Sequence, residues 1–400
     1  MANPRYRRLF AARLVSNVGN GMGPIALAFG VLALPGASPT SLSLVLAVQA
    51  VVVLLVLPFG GVIGDRVGAA RMIASTDLVL SAVVVLEGAL FITGHATVPI
   101  LVVIAVVAGV LNGLWYPCFI GLVPDTVDEE HQQVANSFLT IATNVGYISG
   151  TAVAGILVAT IGPGWAIVID GLTFLVAGGL VFSIRHVSRP HRSEESMVGD
   201  IVHGWRIFVS YKWVVVIVAT FSVVVMAWRG GEEVLGPVLA NERYGGPTAW
   251  AMVLGFQTAG YLLGGVVGSR VRPRRPMLVV VLVTFTLPIL LAAMAFAAPL
   301  VVLAPLALLW GLAFELLGVL WFTALQSRVP RESLSRVSSY DMLGSLVLGP
   351  VGLAVAGPLE ASIGLRNAFL VASAVAAAAL VASLFSRTVR EPMVLNAAVD

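Results

Sequence analysis

The sequence has little charge and almost no cysteine. Of its 400 residues, only 11% are charged and 58% are hydrophobic, and the mean hydropathy is +0.99. Water-soluble domains carry roughly 25% charged residues, so the composition excludes such a domain and indicates a membrane protein. The single cysteine, Cys118, rules out an intramolecular disulfide and a cysteine-based metal cluster. We expect it to be a small packing residue.

Motifs for ATP and metal binding are also missing. The only lysine, Lys212, is not part of a G-x-x-x-x-G-K-[ST] loop, and the five histidines form no H-E-x-x-H set. The chain therefore cannot use ATP by that route, and we expect no cofactor and no metal. Any active transport must draw on an ion gradient or on a partner.

Twelve apolar stretches are each long enough to cross a membrane as a helix, the structure that satisfies its own backbone hydrogen bonds in lipid. They predict an all-α polytopic membrane protein. The predicted spans are 10–34, 41–64, 72–94, 98–122, 134–160, 165–184, 213–239, 248–268, 277–297, 300–326, 337–360 and 367–386.

The basic residues predict the orientation, because Lys and Arg in short loops stay on the cytoplasmic side. With the N-terminus inside, 20 of the 23 Lys and Arg fall in inner segments, Arg243 and Arg366 fall on the outer side, and Arg229 lies within a span. We therefore expect a multi-pass protein of the cell membrane with both termini in the cytoplasm. Topology accounts for the pI of about 9.3, so nucleic acid is not an expected partner.

An internal duplication organises the chain. Residues 60–71 recur at 264–275 with seven of twelve positions identical, and 160–162 (Thr-Ile-Gly) match 362–364 (Ser-Ile-Gly). Six helices map onto six in the same orientation, which predicts two parallel halves. The expected domains are an N-terminal six-helix bundle at 1–184, a cytoplasmic linker at 185–212, and a C-terminal bundle with a short tail at 213–400.

The loop between spans 2 and 3 carries Gly61, Gly64, Asp65, Arg66 and Gly68. This motif closely resembles the cytoplasmic signature of the major facilitator superfamily. Further motifs at 336–338, 349–352 and 169–171 resemble its twelve-helix branch that exports drugs, macrolides and siderophores. The resemblance implies the two-bundle fold of that family, transport by alternating access, and a pathway lined by spans 1, 4, 7 and 10.

Charged groups inside a span are expensive and are therefore candidates for function. Glu315 comes nearest the middle of its span, where loss of water favours a neutral carboxyl that can take up and release a proton. It is the first choice for proton coupling, and the alternative is a neutral acid bonded to an adjacent helix. The proton-coupling candidates are Glu315, Glu232, Glu233, Asp170 and Glu87.

The run at 228–233 (Trp-Arg-Gly-Gly-Glu-Glu) interrupts span 7. Arg229 is spaced i,i+3 and i,i+4 from the two glutamates, so it can neutralise one and leave the other for substrate or proton. The glycine pair predicts a kink or an unwound turn lining an outer vestibule. Alternatively, the helix ends early and leaves the run among outer headgroups. The substrate-pathway candidates, including those the resemblance favours, are Asn20, Asn112, Trp228, Arg229, Gln257 and Phe314.

An inner gate is predicted where span 2 ends. Asp65 can cap a neighbouring helix, and Asp341 at the start of span 11 is within plausible reach of Arg66 or Arg71 when the halves close. Gly61 and Gly68 shape the loop. The alternative is a static loop salt bridge. Asp77, near the inner end of span 3, is expected to snorkel or to join this gate.

Together these features predict a monomeric secondary transporter, not an enzyme, which exports a small amphiphilic compound in exchange for protons. Its partners would be that substrate, protons and membrane lipid. A transporter of this kind would be an efflux antiporter of the type that gives multidrug resistance. The alternatives are a proton-coupled importer of a small polar solute, and a lipid scramblase or membrane-embedded enzyme.

Overall fold

The computed structural model describes residues 3–122, 126–127, 132–184 and 205–391, and within these residues the secondary structure is helical. Twelve of the described helices are long and apolar enough to cross a membrane. The first six are α1 (Pro4–Leu32), α2 (Pro39–Val67), α3 (Ala69–Ile92), α4 (Val98–Leu122), α5 (Gln132–Ile161) and α6 (Pro163–Phe182).

The second six follow a short helical segment at 205–210. They are α7 (Lys212–Arg229, Gly230–Leu235 and Gly236–Arg243 in one continuous run), α8 (Pro247–Arg270), α9 (Pro276–Thr284 and Thr286–Ala295), α10 (Leu300–Arg328), α11 (Arg331–Leu346 and Gly349–Ile363) and α12 (Leu365–Leu384). The predicted all-α fold with twelve spans is confirmed.

Local sequence explains where several helices begin and break. The side chain of Asn3 accepts a hydrogen bond from the Arg5 amide at 3.0 Å, and Pro4 follows it, so α1 begins six residues before the predicted span. The breaks in α9 and α11 come directly after Thr284 and Leu346. Each of these residues lies four positions before a proline, which has no N–H to donate to its carbonyl oxygen.

The described residues group into two compact units: Met1–Ser193 with Ala240–Gly255, and Glu194–Leu239 with Phe256–Asp400. This division departs from the expected boundaries at one segment. Residues 240–255 group with the first unit, where Thr248 Oγ1 donates to the carbonyl oxygen of Gly155 at 3.1 Å. The expected linker lies mostly at 185–204, outside the described residues. Phe208, in the short helix before α7, packs on Tyr340 with ring centroids 5.7 Å apart.

Both units use glycine to bring the same helix pairs together, since a missing side chain lets two backbones approach. In the first unit, a Cβ on Gly150 of α5 would overlap the carbonyl oxygen of Val18 of α1. In the second, a Cβ on Gly352 of α11 would overlap that of Met226 of α7. The pairs α2 with α4 and α8 with α10 correspond in the same way.

The repeated loops also match in conformation. Gly162, between α5 and α6, has φ +90°, and Gly364, between α11 and α12, has φ +80°. This left-handed region favours glycine, so each copy needs a glycine at the same corner. The matched corners and helix pairs agree with the duplication read from the sequence.

Candidate functional site

The interrupted part of α7 is a single wide turn. Residues Gly230–Leu235 form a π-helix, and the α-helix resumes to Arg243. A Cβ on Gly230 would lie 2.7 Å from the carbonyl oxygen of Gly352, and one on Gly231 would lie 2.5 Å from Leu291 Cδ2. The glycine pair therefore permits close packing, and the helix widens where we expected a kink or an unwound turn. The alternative that the helix ends before the charged run is wrong.

Arg229 neutralises Glu233. Its Nε donates to Glu233 Oε1 at 2.7 Å, and its second terminal nitrogen donates to Glu233 Oε2 at 3.0 Å. Both side chains are 30% exposed. This two-point ion pair is strong and directional, and it leaves the neighbouring glutamate without the arginine, as the spacing predicted.

Glu232 is buried and is held by neutral donors. Its side chain is 9% exposed, and its Oε2 accepts hydrogen bonds from Trp228 Nε1 at 2.6 Å and Gln257 Nε2 at 3.0 Å. Gln257 Nε2 also donates to the Tyr261 hydroxyl at 2.9 Å. The contacts position the carboxylate without a full opposite charge. Such an acid can change its protonation state with its surroundings.

Aromatic rings pack against Trp228, which donates to this acid. Trp228 lies 5.2 Å from Phe314 and 6.1 Å from Trp310 between ring centroids, and Tyr261 lies 5.7 Å from Phe314. Within the described residues, two buried polar atoms here have no hydrogen-bond partner, Gln257 Oε1 and Trp310 Nε1. We call Trp228, Glu232, Gln257, Tyr261, Trp310 and Phe314 the Glu232 cluster. A carboxylate beside aromatic faces suits a flat apolar compound that carries a positive charge or a hydrogen-bond donor.

The Arg229–Glu233 pair gives a test of this local structure. Arg229→Gln or Glu233→Gln is expected to lower the free energy of unfolding by about 2 kcal/mol, between the values for exposed and for buried pairs. The double variant should cost less than the sum of the two single variants. Denaturant unfolding of the purified protein would measure this cycle. Arg243→Gln, at the exposed end of α7, is the matched control and should change little; additive losses would contradict the pairing.

The remaining pathway and coupling candidates are dispersed. Glu315 is half-buried at the middle of α10, and a Cβ on Gly264 of α8 would lie 2.8 Å from its Cβ. Asn112 of α4 donates to the carbonyl oxygen of Ala108 at 2.8 Å, and Asn20 of α1 is half-buried. The structure thus brings together Trp228, Glu232, Gln257 and Phe314. Asn20, Asn112, Asp170 and Glu87 belong to the first unit.

The inner gate stays a prediction. The surroundings of Gly61 and the side chain of Asp65 lie outside what the structure describes, while Arg66 and Arg71 are exposed. Gly68 joins α2 to α3 with φ +98°. Asp341 is 6% exposed, and its carboxylate accepts hydrogen bonds from Trp321 Nε1 at 2.9 Å and the Ser345 hydroxyl at 3.4 Å, both within the second unit.

One charged group escaped the sequence argument, which assigned Arg13 to the inner terminus. Its guanidinium carbon lies 4.3 Å from the centroid of the Phe119 ring and 5.2 Å from that of Trp115, and its Nε donates to Thr143 Oγ1 at 3.2 Å. Asp77 interacts electrostatically with Arg13 and is 5% exposed, so the expectation that it snorkels is wrong. Arg13 lies within the first predicted span, 10–34. A charged residue inside a span was the signal in the sequence that could have identified it.

Known proteins agree with this architecture. Residues 9–352 match the family model described as Major Facilitator Superfamily. The chain is 27% identical over 390 residues to the multidrug efflux pump Tap of Mycolicibacterium fortuitum, covering 91% of each chain. It is 23% identical over 287 residues to the uncharacterised MFS-type transporter YkuC of Bacillus subtilis (strain 168), covering 68% of this chain and 66% of that one.

Solved structures of the nucleoside transporter NupG share the fold. A mutant of NupG superposes with a TM-score of 0.77 at 12% identity, covering 96% of this chain and all of that one. A second NupG structure gives a TM-score of 0.74 at 10% identity, covering 95% and 98%. At this identity the likeness concerns the fold alone.

Proposed function

Because the chain belongs to the Major Facilitator Superfamily, we propose that it exports small amphiphilic compounds in exchange for protons by alternating access. It is a multi-pass membrane transporter and not an enzyme. We propose the direction of transport, its coupling to protons and the class of substrate. We also propose that both termini lie in the cytoplasm.

The observation that carries the proposal is the Glu232 cluster. A buried carboxylate that accepts only neutral donors is costly in a membrane when it is charged. It becomes neutral by taking a proton, or it is compensated by a cationic or hydrogen-donating substrate. The aromatic rings next to it supply the apolar contact that such a substrate needs.

Competition at one carboxylate is enough to couple two fluxes. A substrate that binds the ionised Glu232 would leave when a proton enters from outside, and the protonated transporter would return and release its proton inside. Each state has a compensated acid, so neither step leaves an unpaired charge in the membrane. A proton-motive force of 100 mV is worth about 2.3 kcal/mol per charge, or roughly 50-fold in concentration.

Two further facts support export of an amphiphile over its alternatives. One relative of similar length is named a multidrug efflux pump. In the described residues the two arginines that lie well inside the spans are engaged, Arg229 by Glu233 and Arg13 by aromatic rings, so an anionic solute would find little free positive charge. Import of a polar solute and lipid scrambling remain outcomes of the test.

Proteoliposomes that contain the purified protein test the direction and the coupling. With the cytoplasmic side of the protein facing the bath and the lumen made acidic, a fluorescent cationic amphiphile should accumulate inside, by at least about 50-fold at a pH gradient equivalent to 100 mV. A protonophore should abolish the gradient of dye. Accumulation only when the proton gradient is reversed would indicate import, and transbilayer movement of labelled lipid without dye transport would indicate a scramblase.

A further inference from the structure

A second pair of acids lies in the first unit, away from the Glu232 cluster. Asp170 on α6 is 6% exposed and Glu87 on α3 is 9% exposed, and the two interact electrostatically. Helices α3 and α6 touch closely here, because a Cβ on Gly88 would lie 2.7 Å from the carbonyl oxygen of Gly164. Two ionised carboxylates buried together without a cation would be strongly unfavourable.

Helix α1 is shaped to receive the Asp170 carboxyl group. A Cβ on Gly19 would overlap Asp170 Oδ1 and Thr173 Oγ1, and a Cβ on Gly23 would lie 2.7 Å from Asp170 Oδ2. The carboxyl group therefore lies against two glycines, one helical turn apart, at a place that any larger residue would fill.

One oxygen of this carboxyl group, the buried Asp170 Oδ1, has no hydrogen-bond partner among the described residues. The hydroxyl hydrogen of nearby Thr173 is used, since Thr173 Oγ1 donates to the backbone oxygen of Asp170 at 2.7 Å. Thr173 Oγ1 can still accept a hydrogen bond. A proton on Oδ1 would give this oxygen a hydrogen to donate.

The charged groups on the helices packed against α6, which are α3, α1 and α5, do not replace that proton. Arg71 and Asp77 lie 16 and 10 residues before Glu87 on α3, about 24 and 15 Å along the axis. Arg13 on α1 is engaged with Phe119. The other titratable groups on these helices are Arg5, Tyr6, Arg7 and Arg8, near the start of α1, and Tyr147 on α5.

We propose that Asp170 and Glu87 together hold one exchangeable proton, a second proton site separate from Glu232. Loss of this proton would leave two negative charges between α1, α3 and α6 and loosen the contact of Asp170 with Gly19 and Gly23. Reprotonation would restore it. The site thus links proton exchange to the packing of α1 on α6, and it adds a second proton to each transport cycle.

Infrared difference spectra of the purified full-length protein, between acidic and alkaline pH, would detect this proton directly. We expect a carboxyl band that titrates in the wild type, is missing from both Asp170→Asn and Glu87→Gln, and is kept in Glu232→Gln. Its presence would not depend on export, so failure of the proposed function and failure of this site are distinguishable. A band that persists in both variants, or that does not change with pH, would overturn the proposal.

Two glycine variants separate the site from general packing of the bundle. Gly19→Ala places a Cβ on the Asp170 carboxyl position and should shift or remove the band. Gly179→Ala on α6 is the matched control, because nothing lies within 4 Å of its added Cβ. Identical spectra for wild type and Gly19→Ala would contradict the assigned position of the proton.

The second measurement is the substrate gradient that a given proton gradient can support. With two protons per substrate, a pH gradient equivalent to 100 mV supports about a 2,500-fold concentration ratio, against about 50-fold for one proton. The gradient at which net flux stops in proteoliposomes should correspond to two protons for the wild type and to one for Asp170→Asn. A wild-type balance at one proton would overturn the second site even if export itself is confirmed.

Discussion

Replacing Glu232 with glutamine is expected to abolish uphill transport and to weaken the exchange of labelled for unlabelled substrate. Glutamine imitates the protonated acid and keeps a group that Trp228 Nε1 and Gln257 Nε2 can contact. Because substrate and proton exclude each other at Glu232 in our proposal, a permanently neutral side chain holds the substrate poorly and cannot exchange it for a proton. At 100 mV the concentration ratio should fall from at least about 50-fold to one.

Glu315→Gln is the comparison variant, because it tells whether the coupling proton binds at Glu232 or at Glu315. Glu315 lies at the middle of α10 but is half-buried and outside the Glu232 cluster, so we expect this variant to keep uphill transport. Both activities would be measured in the same proteoliposomes. Loss of uphill transport in Glu315→Gln, with retention in Glu232→Gln, would move the coupling proton to Glu315. Exchange at the wild-type rate in Glu232→Gln would contradict binding of the substrate at Glu232.

Gly311→Ala is expected to lower the free energy of unfolding by about 3 kcal/mol, the upper part of the range for an overfilled core. A Cβ at this position of α10 would overlap the backbone oxygen of Gln257 on α8. Backbone cannot move aside as a side chain can, so α8 must shift and carry the Gln257 amide away from Glu232. Transport should therefore fall along with stability.

Gly318→Ala is the matched control on the same helix. Nothing lies within 4 Å of a Cβ added at this position, and alanine favours a helix over glycine by about 1 kcal/mol. The two alanine variants should change stability in opposite directions in denaturant or thermal unfolding. Equal effects on stability would contradict the close approach of α8 and α10.

The sequence predicted the broad architecture because lipid imposes simple rules. A helix that crosses the membrane needs about 20 apolar residues, and the duplicated loops signalled two alike halves. The same rules misplaced some ends. Asn3 and Pro4 begin α1 through local capping, which hydropathy does not detect, and α11 begins at Arg331 within a polar stretch.

The sequence predicted several residues of the site, but it did not predict the contacts between residues on different helices. The spacing of Arg229 and Glu233 along one helix was sufficient to predict their ion pair. The bond from Gln257 to Glu232 joins different helices, 25 residues apart in sequence, and depends on how α7 and α8 pack. Likewise, the position of Asp170 against Gly19 results from side-chain packing that spacing along the chain cannot supply.

The wide turn at Gly230–Leu235 has a consequence for the helical wheel of α7. Each residue of an α-helix advances about 100° around the axis, and a π turn takes up roughly one extra residue. Residues 236–243 are therefore rotated by about 100° from the positions that an unbroken wheel starting at Lys212 assigns to them. The positions for a mutational scan of one face of this helix must therefore be chosen separately before and after the turn. A single unbroken wheel would select lipid-facing residues in place of inward-facing ones.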